Sequence, residues 1–356
     1  MRRAYLLTLL TVACWTTGPI GNKAALTAER AGAHLTPLQV AFWAIALGAV
    51  LSLVLLTLRG RLRRLAAISA RGWVILVLMG LSGWAGYPVL TNIAYQRLSM
   101  PDAVVLTCLS PVFVVLFQGA PFGRVVRPIS GWEQVPEGGR HPPVGRLAIG
   151  MLACLLGVAV IASDGRLSAL GAGLGSVSGA AAAVAAVLVW AVYSNLARFV
   201  TVRPGADASD QADVQNFGAM TVGIVALAIG LAGSGQLWLP RGFETTFYLS
   251  TLGPVRVEVW VPIAAMAALN FCVGYNLWLS ALEAGDQVGR AHALPPLTYL
   301  IVVSSTGVGW LVLRESWGPG FWQGTALVAA GNLVALWPTR YPLRRMEIGE
   351  AASPVD

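Results

Sequence analysis

The sequence predicts an all-α integral membrane protein of ten transmembrane helices, arranged as two inverted five-helix repeats. Three observations lead there. Hydrophobic residues make up 56% of the 356 and charged residues only 11%, with a mean hydropathy of +0.69, whereas soluble domains carry about 25% charged residues. Ten apolar runs each approach the roughly 20 residues that a helix needs to cross a hydrocarbon core of about 30 Å. The same landmarks then recur in the same order in both halves of the chain, as in transporters built from internal repeats.

The first run, 4–27, follows Arg2-Arg3 and superficially resembles a signal peptide. It lacks a distinct small-residue cleavage signal and its pattern returns later, so it is read as a retained helix. Runs at 36–58, 73–96, 102–121 and 146–163 complete a first repeat over 1–163. Runs at 173–198, 214–235, 259–283, 289–313 and 319–337 form a second over 164–340, followed by a short tail, 341–356. Two connections are long: 122–146, rich in Pro and Gly, and 237–258, whose aromatics suit the headgroup region. With the N-terminus inside, 17 of the 24 Lys and Arg fall on the inner side and 7 on the outer. The positive-inside rule therefore predicts that both termini, and the 122–146 connection, are cytoplasmic.

The repeat is visible residue by residue. Trp15 has Lys23 eight residues on, and Trp190 has Arg198 eight residues on. Gly86-Tyr87 in the third run matches Gly274-Tyr275 in the eighth, and Pro111 in the fourth matches Pro296 in the ninth. Gly150 and Gly157 in the fifth run are spaced like Gly324 and Gly331 in the tenth. Five helices per half is an odd number, so the second half must be inverted relative to the first. The stretch CWTTGPIGNKAA (14–25) then finds an explanation: helix-weakening residues are tolerated at membrane depth where they line a watery cavity or pack on protein. Trp15 lies roughly 17 Å into its helix by the 1.5 Å rise per residue, near the midplane.

These motifs, with SPVF in the fourth run and LRESW before a Gly-rich last run, resemble the drug/metabolite transporter superfamily and specifically its EamA-like branch. The resemblance covers about 4–338. The last stretch, FWQGTALVAAGNLVALWPTR, is also similar to the end of the YddG-type aromatic amino-acid exporters. The long 122–146 connection departs from the branch, whose usual turn after the fourth helix is short. The resemblance implies a bacterial plasma-membrane transporter.

Trp15, Thr17, Tyr87, Asn92, Trp190, Tyr193, Tyr275, Asn276, His292 and Tyr299 are the expected substrate contacts. Thr16, Asn22, Trp84, Tyr95, Thr107, Ser110, Asn195, Asn270, Trp278 and Asn332 belong to the wider set of polar and aromatic residues within the runs. Such side chains either recognise substrate or bond a neighbouring helix. Gly171, Gly175 and Gly179 read as a close-packing face, and Pro19, Pro111 and Pro296 as bends, either hinges or static kinks. Lys23 and Arg198 read as snorkelling to the headgroups, with attraction of a substrate carboxylate as the alternative. Asp102, Glu283 and Asp286 lie at helix ends and Glu315 in a turn, so no buried acid suggests proton coupling; His292 is the one ionisable candidate well inside a run.

The function expected is secondary transport, the export of small metabolites such as amino acids by alternating access around a midplane pocket, with multidrug export as the alternative. The expected partners are a small-molecule substrate and the lipid bilayer, and one chain suffices to enclose a pathway. A net charge of +8 without an aromatic-basic stripe argues against nucleic acid. Cys14, Cys108, Cys154 and Cys272 lie in four separate runs without C-x-x-C, so no metal or cofactor is expected. A membrane-embedded enzyme would need clustered carboxylates or a His/Asp pair; H-x-x-x-x-D does not occur, and the D-x-x-D spacing is met only by Asp207, Asp210 and Asp213, in the connection before the seventh run.

Overall fold

The first apolar run forms two helices rather than one, and Pro19 gives the reason. In the computed structural model, which describes residues 2–98, 103, 106–107, 109–117, 144–163, 165–166, 168, 177–200, 208–249, 253–287, 294–313 and 320–336, α1 (Arg2–Trp15) and α2 (Thr17–Thr27) meet at Thr16. Proline has no N–H to return to the carbonyl four residues earlier, here that of Trp15, and its ring crowds that carbonyl. The helical ladder opens there. Beside the break Thr16 and Thr17 donate their hydroxyls to Val12 O (2.9 Å) and Cys14 O (2.7 Å).

The helix α3 (Pro37–Leu58) starts at a capping box, in which Thr36 and Gln39 exchange side-chain and backbone bonds, with Pro37 in the first turn where its missing N–H does no harm. A 3₁₀ turn (Leu62–Ala67) leads to α4 (Ala70–Met79), capped by Ser69. Next come a π-helical segment (Gly80–Gly86), α5 (Tyr87–Arg97), α6 (Ser110–Phe117), α7 (Val144–Ala162), α8 (Val177–Leu196) and α9 (Ala208–Gly233). Then α10 (Trp260–Ala265) runs through a second π segment (Met266–Gly274) into α11 (Tyr275–Asp286). A 3₁₀ turn (Pro295–Tyr299), α12 (Leu300–Leu313) and α13 (Gly320–Leu336) complete the described helices. Pro296 thus sits in the tight turn that opens α12.

Six of these helical stretches are long and apolar enough to cross a membrane: Arg2–Thr27, Pro37–Leu58, Ala70–Arg97, Val177–Leu196, Ala212–Gly233 and Trp260–Gly285. Leu6, Val50, Val54, Val74, Val225, Ile229 and Val261 leave large apolar side chains exposed on their outer faces. A monomeric soluble protein seldom carries contiguous apolar surface of that kind, whereas hydrocarbon solvates it.

The all-α expectation needs one correction. Strands β1 (Glu29–Arg30), β2 (Ala33–His34), β3 (Glu244–Leu249) and β4 (Gly253–Glu258) form an antiparallel sheet in the order β2-β1-β3-β4. Both longer strands lie in the 237–258 connection, whose aromatics suit the headgroup region, but Thr245, Thr246, Phe247, Tyr248, Val255 and Val257 are also the β-branched and aromatic types that favour strands. Its burial alternates along β4, with Pro254, Arg256 and Glu258 exposed. Glu29 pairs with Glu244, so the sheet ties the chain between α2 and α3 to the chain between α9 and α10. Beside it, Thr36 Oγ1 donates to Gln236 Oε1 (2.9 Å) and Gln39 Nε2 to Gln236 O (3.1 Å). At the far end of α3, about 33 Å away by the helical rise, Arg59 and Arg61 both donate to Oδ2 of Asp213, the Arg59 bond measuring 2.6 Å.

The helices pack in reciprocal fashion. The first π segment packs on α9 and the second on α3; a Cβ on Gly80 would lie 2.5 Å from Ala219 O, and one on Gly48 3.3 Å from Ala267 O. The helices α7 and α13 cross where glycine lets backbone touch backbone. A Cβ on Gly157 would lie 2.6 Å from Gly324 O, and one on Gly331 2.6 Å from Gly150 O. Residue number rises along one helix as it falls along the other, so the two are antiparallel. Gly179 packs on Leu98, where a Cβ would lie 2.8 Å from Leu98 Cγ, while Gly171 and Gly175 lie outside the described residues.

Candidate functional site

Both π segments end at a Gly-Tyr pair. In each, the tyrosine N–H reaches back five residues, from Tyr87 to Ser82 O and from Tyr275 to Asn270 O. A π turn is wider than an α turn and recurs at functional sites. At the next position the first segment carries Pro88, which has no N–H to give, and the second carries Asn276, whose Nδ2 donates to Cys272 O (2.7 Å). Small residues make room for the wider coil: Gly83 would drive a Cβ into the Tyr193 ring, and Gly274 would place one 2.7 Å from Trp15 Cδ1.

The tyrosines meet the tryptophans of the opposite half. Trp15 and Tyr275 lie 5.5 Å apart between ring centroids and nearly edge-to-face, and Trp190 and Tyr87 lie 4.9 Å apart. Between these pairs Trp15 meets Trp190 at 5.2 Å with planes at 78°, and Trp190 meets Tyr275 at 5.5 Å with planes at 87°. Such pairs contribute about 0.5–1.5 kcal/mol each beyond area burial. Trp84, Tyr193, Phe271 and Trp278 back the cluster, with Trp84 4.2 Å from Tyr275 and Tyr193 5.3 Å from Trp190.

Against this cluster lies a cavity of about 120 Å³. Its wall takes Trp15, Gly18, Pro19 and Asn22 from the broken first helix, and Tyr87, Pro88, Thr91 and Tyr95 from α5. Thr107, Ser110 and Trp190 come next, then Asn270, Phe271 and Tyr275 from the second π segment and its successor, and Thr298, Tyr299, Ile301, Val302 and Ser305 from the ninth run. Two bonds hold its flanking helices together: Thr16 Oγ1 with Ser304 Oγ (2.5 Å), and Asn195 Nδ2 with Val114 O (3.0 Å). No ionisable Asp, Glu, Lys, Arg or His stands among the described lining residues. Among the described residues no group of His, Cys, Asp or Glu gathers as metal ligands.

Five of the ten expected contact residues, Trp15, Tyr87, Trp190, Tyr275 and Tyr299, line this cavity. Four stand elsewhere. Thr17 bonds its own helix, Asn92 is buried and donates to Pro37 O (3.2 Å), Tyr193 is fully buried behind Trp190, and Asn276 bonds Cys272 O. His292 lies outside the described residues, as do 122–143 of the long connection. Asn22, Tyr95, Thr107, Ser110 and Asn270 of the wider set do line the wall. Thr91, Thr298 and Ser305 line the wall but stand in neither set; Thr91, one helical turn beyond Tyr87, is the one whose spacing signals the shared face.

Likeness to known proteins extends to the fold and to part of the sequence. No curated protein matches it significantly. A solved crystal structure superposes with a TM-score of 0.63 at 20% sequence identity, covering 93% of this chain and 96% of that one, which shows a shared fold. The EamA-like transporter family matches residues 2–130. Over that stretch the chain carries the sequence pattern of the EamA-like transporter family, as the motif resemblance implied.

Proposed function

We propose that the protein is a secondary membrane transporter, an exporter of small metabolites such as amino acids, which works by alternating access around the aromatic-floored cavity. The observation that carries this reading is the reciprocity of contacts. Trp15 meets Tyr275 as Trp190 meets Tyr87, and Gly157 meets Gly324 as Gly331 meets Gly150. Contacts exchanged in that way are what a two-fold relation between elements produces. Antiparallel packing of α7 on α13 puts the axis across the helices, which supports ten spanning helices in two inverted halves, 1–163 and 164–340.

With the N-terminus and the C-terminal tail cytoplasmic, the cavity extends outward from mid-membrane. Along the broken first helix, from Trp15 to Asn22, and along α5, from Tyr87 to Tyr95, the lining residues climb toward the outer side. Below them the aromatic cluster, the Asn195 bond and the Arg59–Asp213–Arg61 clasp close the inner side. The state described is then outward-facing, and export requires the clasp to open. One chain supplies the wall, so a monomer in the plasma membrane suffices. A volume of about 120 Å³ is close to that of the ~150 Å³ cavity that admits benzene, which favours small metabolites over bulky drugs.

The test is uptake of a labelled amino-acid panel into proteoliposomes, with and without imposed pH and voltage gradients. Saturable flux of a few members is expected. Flux of none under any gradient, with bulky drugs moved instead, would replace this reading with multidrug export.

A further inference from the structure

The cavity's polar groups are not equally available. Thr91 donates its hydroxyl to Tyr87 O (2.7 Å), Thr298 to Pro295 O (2.7 Å) and Ser305 to Val302 O (3.2 Å), so their protons are already committed to their own helices. Asn22 and Asn270 differ. Both line the cavity, and among the described residues neither side-chain amide meets a hydrogen-bonding partner. The two are neighbours by construction: Asn270 rests on Gly18, where a Cβ would lie 2.5 Å from its Nδ2, and Gly18 is one helical turn from Asn22 on the same face. Asn270 reaches the wall because the π turn stacks it under Tyr275, five residues on. In an α-helix those two positions would diverge.

We infer that Asn22 and Asn270 are the recognition pair of this cavity and select small, net-neutral solutes that bear both a hydrogen-bond donor and an acceptor beside an apolar group. Each amide offers N–H donors and a carbonyl acceptor, so together they can satisfy an ammonium and a carboxylate, or a neutral amide. A solute with net charge meets no countercharge among the described lining residues and would be desolvated without compensation. The aromatic cluster takes the apolar part. This assignment rests on the transporter reading above.

The experiment uses purified protein in liposomes with labelled leucine, lysine and glutamate as probes, and tryptophan fluorescence of the same protein as a binding readout. Wild type is expected to move leucine at least tenfold better than lysine or glutamate. Asn270→Ala should weaken leucine handling roughly tenfold through KM, as expected for the loss of a hydrogen bond to a charged group. Asn270→Asp and Asn22→Asp, which keep the shape and add a negative charge, should raise lysine uptake relative to leucine. A purely structural role would lower all three fluxes together. Equal wild-type handling of lysine, glutamate and leucine, or an unchanged preference in both aspartate variants, would overturn the pair. Leucine binding without leucine flux would overturn the transport reading alone, with the pair's selectivity then read from the binding titration. Absence of binding of all three probes would overturn the pair.

Discussion

Trp190 touches Trp15, Tyr87, Tyr193 and Tyr275, and so joins rings from both halves of the chain in the cavity wall. Trp190→Phe keeps an aromatic floor while shortening it. It is expected to leave detergent-extracted protein folded, with the thermal midpoint lowered by a few degrees, and to raise KM for leucine several-fold in proteoliposomes. Asn92→Ala supplies the contrast. Its amide donates to Pro37 O inside the bundle, so its loss should cost about 1–2 kcal/mol of stability and leave KM unchanged. Trp15, Trp190, Tyr87 and Tyr275 were legible because each had a twin at the same place in the other half. The asparagines were not: Asn270 and Asn276 look alike in an apolar run, and which one faces the cavity is decided by the π turn between Asn270 and Tyr275. A sequence read with a period of 3.6 assigns that face to the wrong member of the pair.

At the scale of elements, the spanning helices followed from hydropathy, whereas the breaks within them followed from local chemistry. Pro19 marks one break, and the glycines of GLSGWAG mark another only once the packing partners, Tyr193 and the backbone of α9, are known. The small sheet escaped the hydropathy reading because β4 alternates Val255 and Val257 with Arg256 and Glu258, a period of two that a transmembrane window averages away. The α7–α13 contact makes a direct prediction. Gly157→Ala and Gly331→Ala each press a methyl group to within 2.6 Å of a carbonyl oxygen of the other helix. Each should lower stability by about 1–3 kcal/mol, seen as a reduced thermal midpoint. A midpoint unchanged in both would mean that the two helices do not meet backbone to backbone.

The whole molecule is held differently at its two ends. One end has the sheet and the neutral bonds of Thr36, Gln39 and Gln236, whereas the other has a carboxylate, Asp213, 9% exposed and shared by two arginines. Removing the charge of a partly buried acceptor should loosen the charged end without touching the other. Asp213→Asn is therefore expected to shift the protein toward an inward-open state. A cysteine placed at Ser194, in a background with the native cysteines changed to Ala, should react with a membrane-impermeant thiol reagent from the inner side several-fold faster. Equal labelling rates with and without the substitution would show that the clasp does not hold that side closed.

Counterflow tests alternating access most directly. Proteoliposomes are loaded with unlabelled leucine, diluted into a trace of labelled leucine, and the internal label is followed over time. A carrier whose binding site faces one side at a time must exchange, so the account predicts a transient accumulation of label above equilibrium, abolished in liposomes without protein. Label that only rises to equilibrium, at the same rate whether or not leucine is present inside, would contradict it.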